Sequence, residues 1–200
     1  KKLDATNPKE VKDFLIAEMP DVVIDTVALS SYFTCENNPE LCEKLNYNTA
    51  ENIAEVCKEI NAKMIFISSS YIFNGDKGDY TENDIPNSTH QYGRSKVRAE
   101  KKVLELKNSI VIRTEPLYGF DQEKRQITVG TNTFQDYAKV GYPDLLRCPV
   151  FVDDIPKIIA RHQLTCDNNK WTLPHLPKVY LLEEGVFLNA YDKKMIIHFG

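Results

Sequence analysis

The sequence predicts an α/β chain folded as a doubly wound parallel sheet, and two patterns carry that expectation. Three short apolar runs, Asp21–Thr26, Lys63–Ser68 and Ser109–Arg113, read as strands, and Asp21–Thr26 looks buried on both faces, as expected in a parallel sheet. Each follows a segment with helical periodicity. Strands alternating with helices at this spacing imply βαβ units with right-handed crossovers.

The elements follow in chain order. Thr6 or Asn7 can cap a first helix, Pro8 suits its opening turn, and Val11, Phe14, Leu15 and Ile16 supply its apolar face. Pro20 stops it, and Asp21–Thr26 is the first strand. After a polar loop, Pro39 to Ala62 reads as one long helix, with Leu41, Leu45, Ile53, Val56 and Ile60 at helical spacing. The strand Lys63–Ser68 leads into a segment from Phe73 to Thr89 that is too polar for core and long enough to be functional. Tyr92 to Leu106 is a charged amphipathic helix, followed by the strand Ser109–Arg113. Beyond about Phe120 the pattern degrades, although Asp154 to Gln163 still reads as helix. The expected organisation is a core over 1–120, a reduced region over 121–192 whose 150–163 stretch returns to the core, and a separate terminal segment, 193–200.

Composition excludes several classes of function. A chain of 200 residues with net charge −4 offers no electrostatic footprint for a phosphate backbone, so nucleic acid is not an expected partner. No apolar run reaches the roughly 18–20 residues that cross a bilayer, and no secretory signal pattern occurs. Five cysteines, odd in number and widely spaced, form no CxxC pair and no ligand spacing with the four histidines. They read as free thiols of a reducing, cytoplasmic environment, and no metal site is expected.

One pair of residues carries chemistry. Tyr92-Gly-Arg-Ser-Lys96 places a phenol and an ammonium at i and i+4, on one helix face. A cation there favours the phenolate and lowers a tyrosine pKa from about 10. A tyrosine tuned this way can exchange a proton with a carbonyl or alcohol oxygen. Taken alone, the pair is equally an exposed helical contact. Upstream, the strand Met64–Ile67 runs into Ser68-Ser69-Ser70, and hydroxyls at the carboxyl end of a parallel strand sit where open α/β sheets bind ligands. Such serines can also simply make turn contacts. Together the two features point to one site.

The segments Ile67-Ser-Ser-Ser-Tyr-Ile-Phe-Asn-Gly75, Tyr80-Thr-Glu-Asn-Asp84 and Tyr92-Gly-Arg-Ser-Lys96 with Glu100 resemble the motif block of dTDP-4-dehydrorhamnose reductases, extended short-chain dehydrogenase/reductases with a Rossmann-like core. The same block occurs in the non-enzymatic regulatory β subunit of methionine adenosyltransferase. Leu3-Asp-Ala-Thr-Asn7, Asn46, Ile112-Arg-Thr-Glu-Pro-Leu-Tyr-Gly119 and Val152-Asp-Asp-Ile155 extend the resemblance over about residues 2–160. It implies Ser69 as the hydroxyl that orients a substrate oxygen, Tyr92 as proton donor, and Lys96 as the group on the cofactor ribose. It further implies NADP or NAD as cofactor, contacted by Asp4, Ala5, Ala28, Asn46, Ser68, Tyr92, Lys96, Thr114 and Leu117. The implied substrate is a nucleotide sugar with a 4-keto group. A methionine adenosyltransferase catalytic subunit is the partner implied by the β-subunit likeness, and relatives pair as homodimers through helices equivalent to 39–62 and 92–106.

The chain also departs from that family. The family opens with a strand and G-x-x-G-x-x-G, whose glycines let backbone approach the pyrophosphate, and the eight glycines here contain no such motif. The first βα unit therefore reads as missing. Lys193-Lys-Met-Ile-Ile-His-Phe-Gly200 resembles the family's first strand and is expected parallel to and beside Asp21–Thr26, the alternative being an ordinary terminal strand. Pro116 stands where the reductases carry a tryptophan, and Ser70 replaces an aspartate. Val27 to Glu36 keeps the family's alanine and glutamate but loses its aspartate. Arg147-Cys-Pro149 with Val152–Ile155 resembles the β-subunit version better.

Overall fold

A computed structural model describes residues 3–122, 126–129, 132–133, 150–163, 166–167, 170–171, 179–181, 187–190 and 193–196. The chain divides into two compact units, residues 1–113 with 177–200, and residues 114–176.

In the first unit, α1 (Pro8–Glu18) begins at Asn7, whose side-chain oxygen accepts from the backbone N–H groups of Lys9 and Glu10 at 3.1 and 3.3 Å. Two of the helix's four orphan donors are satisfied in this way. Met19 ends the helix in the left-handed region, with φ 44°, ahead of Pro20. The strand β1 (Val22–Asp25) is buried throughout and pairs in parallel with β2 (Lys63–Ser69), Val23 facing Met64 and Asp25 facing Phe66. β3 (Ser109–Thr114) lies on the far side of β2.

The connection from β1 to β2 is more helical than its sequence predicts. α2 (Tyr32–Asn37) occupies part of the expected loop, started by the Ser31 hydroxyl accepting from Thr34 N–H at 3.2 Å. The long helix expected over 39–62 runs without a break from Pro39 to Ile60, as α3 (Pro39–Glu43), a π turn over Lys44–Asn48, and α4 (Thr49–Ile60). Asn61 closes α4 in the left-handed conformation, φ 55°. α5 (Gln91–Val103) leads back toward β3.

Alternation along the strands sorts the core. Val23, Met64 and Phe66 share one face with Val11 and Leu15 of α1, Ile53, Val56 and Cys57 of α4, and Ala99 and Val103 of α5. Val22, Ile24 and Ile65, on the other face, are equally buried. Burial on both sides explains why these strands read as continuous apolar runs.

The terminal segment corrects one expectation. The free edge of β1 is taken by Val179–Leu181, which pairs with it in parallel, Val22 facing Val179. Lys193–Ile196 instead pairs antiparallel with Phe187–Ala190. With β2 and Val179–Leu181 on its two edges, β1 has no position left for Lys193–Ile196. Residues 197–200 lie outside the described residues.

The second unit starts at Thr114, ahead of the expected break at residue 120, because β4 (Leu117–Asp121) pairs inside that unit. It is antiparallel to β5 (Gln126–Val129) and parallel to β7 (Val150–Phe151), while β6 (Asn132–Thr133) extends β5. Gly119 is required where β4 meets β7, since a Cβ would lie 2.6 Å from a Val152 methyl. α6 (Asp154–Gln163) forms as expected, but the stretch 150–163 groups with this unit rather than with the core. Among the described residues, no helix is long and apolar enough to cross a membrane.

Candidate functional site

Parallel strands converge their carboxyl ends on one edge of a sheet, and the candidate site lies at the end of β2. Ser69 is the last residue of that strand, and its hydroxyl accepts from Tyr71 N–H at 3.3 Å, capping the single 3-10 turn Ser70–Ile72. The phenol of Tyr92, in the first turn of α5, lies within reach of the same hydroxyl. Lys96, one turn further along, reaches back to donate from Nζ to the Ile67 carbonyl at 3.0 Å, with its ammonium 4.5 Å from the Phe66 ring centroid. The structure thus brings together the three residues singled out by sequence. All three are buried.

The electrostatics differ from the expectation. The Tyr92 phenol is pushed up to about 12, first by burial, with the Ser69 hydroxyl acting in the opposite direction. Lys96 is expected to lower it, but desolvation of the phenol outweighs the ammonium, which donates to the Ile67 carbonyl over the Phe66 ring. Burial likewise pulls Lys96 down to about 8, against Asp25 and Glu100, which raise it.

The start of α5 is held from several sides. His90 caps it, Nδ1 accepting from Gly93 N–H at 3.1 Å. A Glu36 carboxylate oxygen accepts from Gln91 N–H at 2.5 Å. Rings of Tyr32, His90, Tyr71 and Tyr92 follow one another edge to face at centroid distances of 5.3, 5.2 and 5.8 Å. Gly93 is there because a Cβ would collide with the Ser88 hydroxyl and the Tyr71 carbonyl. The glycine between Tyr92 and Lys96 is therefore a close-approach residue, which lets α5 settle onto the strand end.

Asn46, expected as a cofactor contact, is fully buried in the π turn, and its amide is spent on the protein. Oδ1 accepts from Leu29 N–H at 2.7 Å, while Nδ2 donates to the Leu29 carbonyl at 3.2 Å and to the Ser95 hydroxyl at 3.1 Å. It ties the loop after β1 to α5. Ala28, in that loop, is exposed. Ser68 is buried at the end of β2, and Thr114 is buried at the end of β3. Asp4 is exposed in the turn before α1, its Oδ1 accepting from Thr6 N–H and Oγ1–H at 2.9 and 2.8 Å, which holds its carboxyl below the usual range. The Ala5 carbonyl accepts from Asn52 at 3.1 Å. Leu117 begins β4 of the second unit.

The segment from Phe73 to Thr89 is irregular but braced. Phe73 and Tyr80 stack at 4.2 Å, Asn74 N–H donates to the Asn87 side chain at 2.9 Å, and Lys77 pairs with Asp84 at 2.5 Å. Lys77, with the Thr81 N–H and hydroxyl, holds the Asp84 carboxyl down to about 2. Arg113 grips both carboxylate oxygens of Glu100 at 2.8 to 3.3 Å and reaches the Glu82 carbonyl at 3.3 Å, linking β3, α5 and this segment. Sequence reasoning passed over Asp25, His90 and Gly93 as site residues, and the only signal for Asp25 was a carboxylate ending an apolar strand.

The family described as the RmlD substrate binding domain matches residues 1–177. The chain belongs to that family. Within it, this RmlD-like chain is 38% identical over 144 residues to methionine adenosyltransferase 2 subunit beta of Bos taurus, covering 70% of this chain and 43% of that one. Among solved structures, a hypothetical dTDP-4-dehydrorhamnose reductase from Sulfolobus tokodaii is 36% identical with TM-score 0.58, over 60% of this chain and 44% of that one. The dTDP-4-dehydrorhamnose reductase of Bacillus anthracis, solved in complex with NADP, is 26% identical with TM-score 0.69, over 82% of this chain and 59% of that one. The RmlD-like chain thus spans less than half the length of the bovine relative.

Proposed function

We propose that this chain carries the dinucleotide-dependent reductase site of a nucleotide-sugar reductase, reducing a 4-keto group to the alcohol. The observation that carries this reading is the burial of Ser69, Tyr92 and Lys96 at one strand end, where the Lys96 ammonium donates to the Ile67 carbonyl of the strand that ends at Ser69. The Bacillus anthracis relative, solved with NADP, supports the choice of NADP or NAD. The residues present fit the nicotinamide-ribose end of such a cofactor. An ammonium has three protons, so Lys96 can hold the Ile67 carbonyl and a ribose hydroxyl together. When bound, the cofactor supplies hydride.

The chain's own residues handle the oxygen. Ser69 donates to the substrate carbonyl and orients it, and Tyr92, neutral at physiological pH, gives up the proton that the forming alcohol needs. Burial of the phenol excludes water from that transfer.

A second reading is favoured by the 38% identity to the bovine β subunit. In that reading the chain is a regulatory module that binds the dinucleotide and controls a methionine adenosyltransferase, with Ser69, Tyr92 and Lys96 inherited but unused.

The test is oxidation of NADPH with a panel of 4-keto sugar nucleotides, comparing the natural chain with Tyr92→Phe. Turnover lost in Tyr92→Phe is the expected result. An absence of turnover with every substrate, together with co-purification of a methionine adenosyltransferase, would replace the reductase reading with the regulatory one.

A further inference from the structure

Lys96 carries a charge into a place where water cannot reach it. It is 2% exposed, and its ammonium donates to a neutral carbonyl, that of Ile67, at 3.0 Å. A buried ammonium needs an anion close by or it loses its proton. Two carboxylates are candidates. Glu100 lies one turn along α5, but Arg113 already holds both of its oxygens at 2.8 to 3.3 Å. That pair is neutral as a unit.

Asp25 is the other. It ends β1 and is fully buried. Its register partner across the parallel pair is Phe66, and partners in register point to the same face. Phe66 is the ring over which the Lys96 ammonium sits at 4.5 Å. The Asp25 carboxylate therefore enters from the neighbouring strand on the face that α5 covers. Val23, two residues before Asp25 on β1, packs with Phe66 and with Cys57 of α4 on that same face, and the Cys57 thiol is pushed up to about 12 by burial and then by the Asp25 charge. One of its oxygens accepts from Val27 N–H at 2.9 Å, turning the chain into the loop after β1.

We infer that Asp25 is the buried counter-charge of Lys96, a positioning residue that keeps the ammonium protonated and seated at the end of β2. The inference rests on the reading of Lys96 as a site residue only for its catalytic consequence; the charge pairing stands without it. The titratable groups facing Lys96 are Asp25 from β1, Tyr92 and Glu100 from α5, and Cys35 and Cys42 from α2 and α3, with Arg113 of β3 behind Glu100. Of these, Asp25 and Glu100 supply the negative charge, and Glu100 is balanced.

The test is a titration of the full chain carrying lysine labelled with carbon-13 at Cε, read by NMR, with Lys96→Arg assigning the signal. In Asp25→Asn, which keeps an acceptor for Val27 N–H, the Lys96 midpoint should fall by at least one pH unit, a ten-fold loss of proton affinity. An unchanged midpoint overturns the pairing. A double-mutant cycle in urea unfolding near neutral pH supplies a second reading, with Asp25→Asn, Lys96→Met and both together. Coupled effects support the pair, and additive effects refute it. Should Asp25→Asn fail to fold, the pairing requires the double variant to fold; if it does not while Lys96→Met does, the inference is wrong. None of these measurements uses turnover, so loss of the reductase reading and loss of the Asp25–Lys96 pairing give different results.

Discussion

The side chain of Asn46 holds both backbone groups of Leu29, accepting from its N–H at 2.7 Å and donating to its carbonyl at 3.2 Å. A short loop that leaves a buried strand exposes peptide groups that no ladder satisfies, and here one amide satisfies them from a neighbouring turn. Asn46→Ala should therefore cost about 1–3 kcal/mol, the penalty for leaving the part-buried Leu29 N–H without its acceptor, while the Leu29 carbonyl keeps the Cys35 thiol. Chemical unfolding measures this. Asn46→Asp should also lose stability, because a carboxylate cannot donate to the Leu29 carbonyl.

Gly93 makes a different demand. An added Cβ meets the Tyr71 carbonyl, which is backbone and cannot swing away. Gly93→Ala should destabilise by at least about 2 kcal/mol, in the range of overpacked cores. It should also push Tyr92 away from Ser69. Thermal unfolding reads the first effect, and a tyrosine absorbance titration reads the second as a lower Tyr92 midpoint once water enters.

Arg113 and Glu100 form a bidentate pair with Glu100 buried. Removing the cation leaves a buried carboxylate uncompensated, so Arg113→Met should cost about 3–5 kcal/mol. Arg113→Met with Glu100→Gln should recover much of that loss. Equal stability of the single and double variants would show that Arg113 acts through packing against Phe73, whose ring centroid lies 5.5 Å away.

Stability at alkaline pH should follow two opposed groups. Lys96 is depressed to about 8, so between there and the ordinary lysine value the unfolded chain binds the extra proton and its contribution to stability rises with pH. Tyr92 is raised to about 12, so its contribution is complete below the ordinary tyrosine value and is lost as pH climbs toward 12. In Lys96→Met, the rise in unfolding free energy between about pH 8 and 10 should shrink relative to the natural chain. Urea unfolding at those two values checks it, and an identical rise in both chains would contradict the depressed lysine.

What was legible in the sequence follows from period and adjacency. β1 and β2 were readable because burial on both faces leaves an uninterrupted apolar run. Tyr92 and Lys96 were readable because the helical repeat fixes i and i+4 on one side. Ser69 was readable because it ends a strand. α2 escaped because six residues hold no full apolar period, and its start depends on the Ser31 hydroxyl reaching Thr34. Asp25 escaped because its meaning lies in a register, Asp25 opposite Phe66, that no local pattern encodes. The tuning of Tyr92 was misjudged for a similar reason. Proximity of an ammonium can be read from spacing, but the depth at which the phenol is buried cannot, and depth decided the direction.

The π turn at Lys44–Asn48 winds one residue more into its loop than an α-helix would. Asn46 lies in that turn, bonded to Leu29, while Ile53, Val56 and Cys57 of α4 pack against the sheet. Deleting a single residue from this stretch would let it close as ordinary α-helix, with α4 keeping its apolar face to the sheet but without the wider turn that carries Asn46. Within this stretch identity is fixed at Asn46, whose amide has no substitute there, and substitutions are admitted at the exposed Lys44 and Asn48.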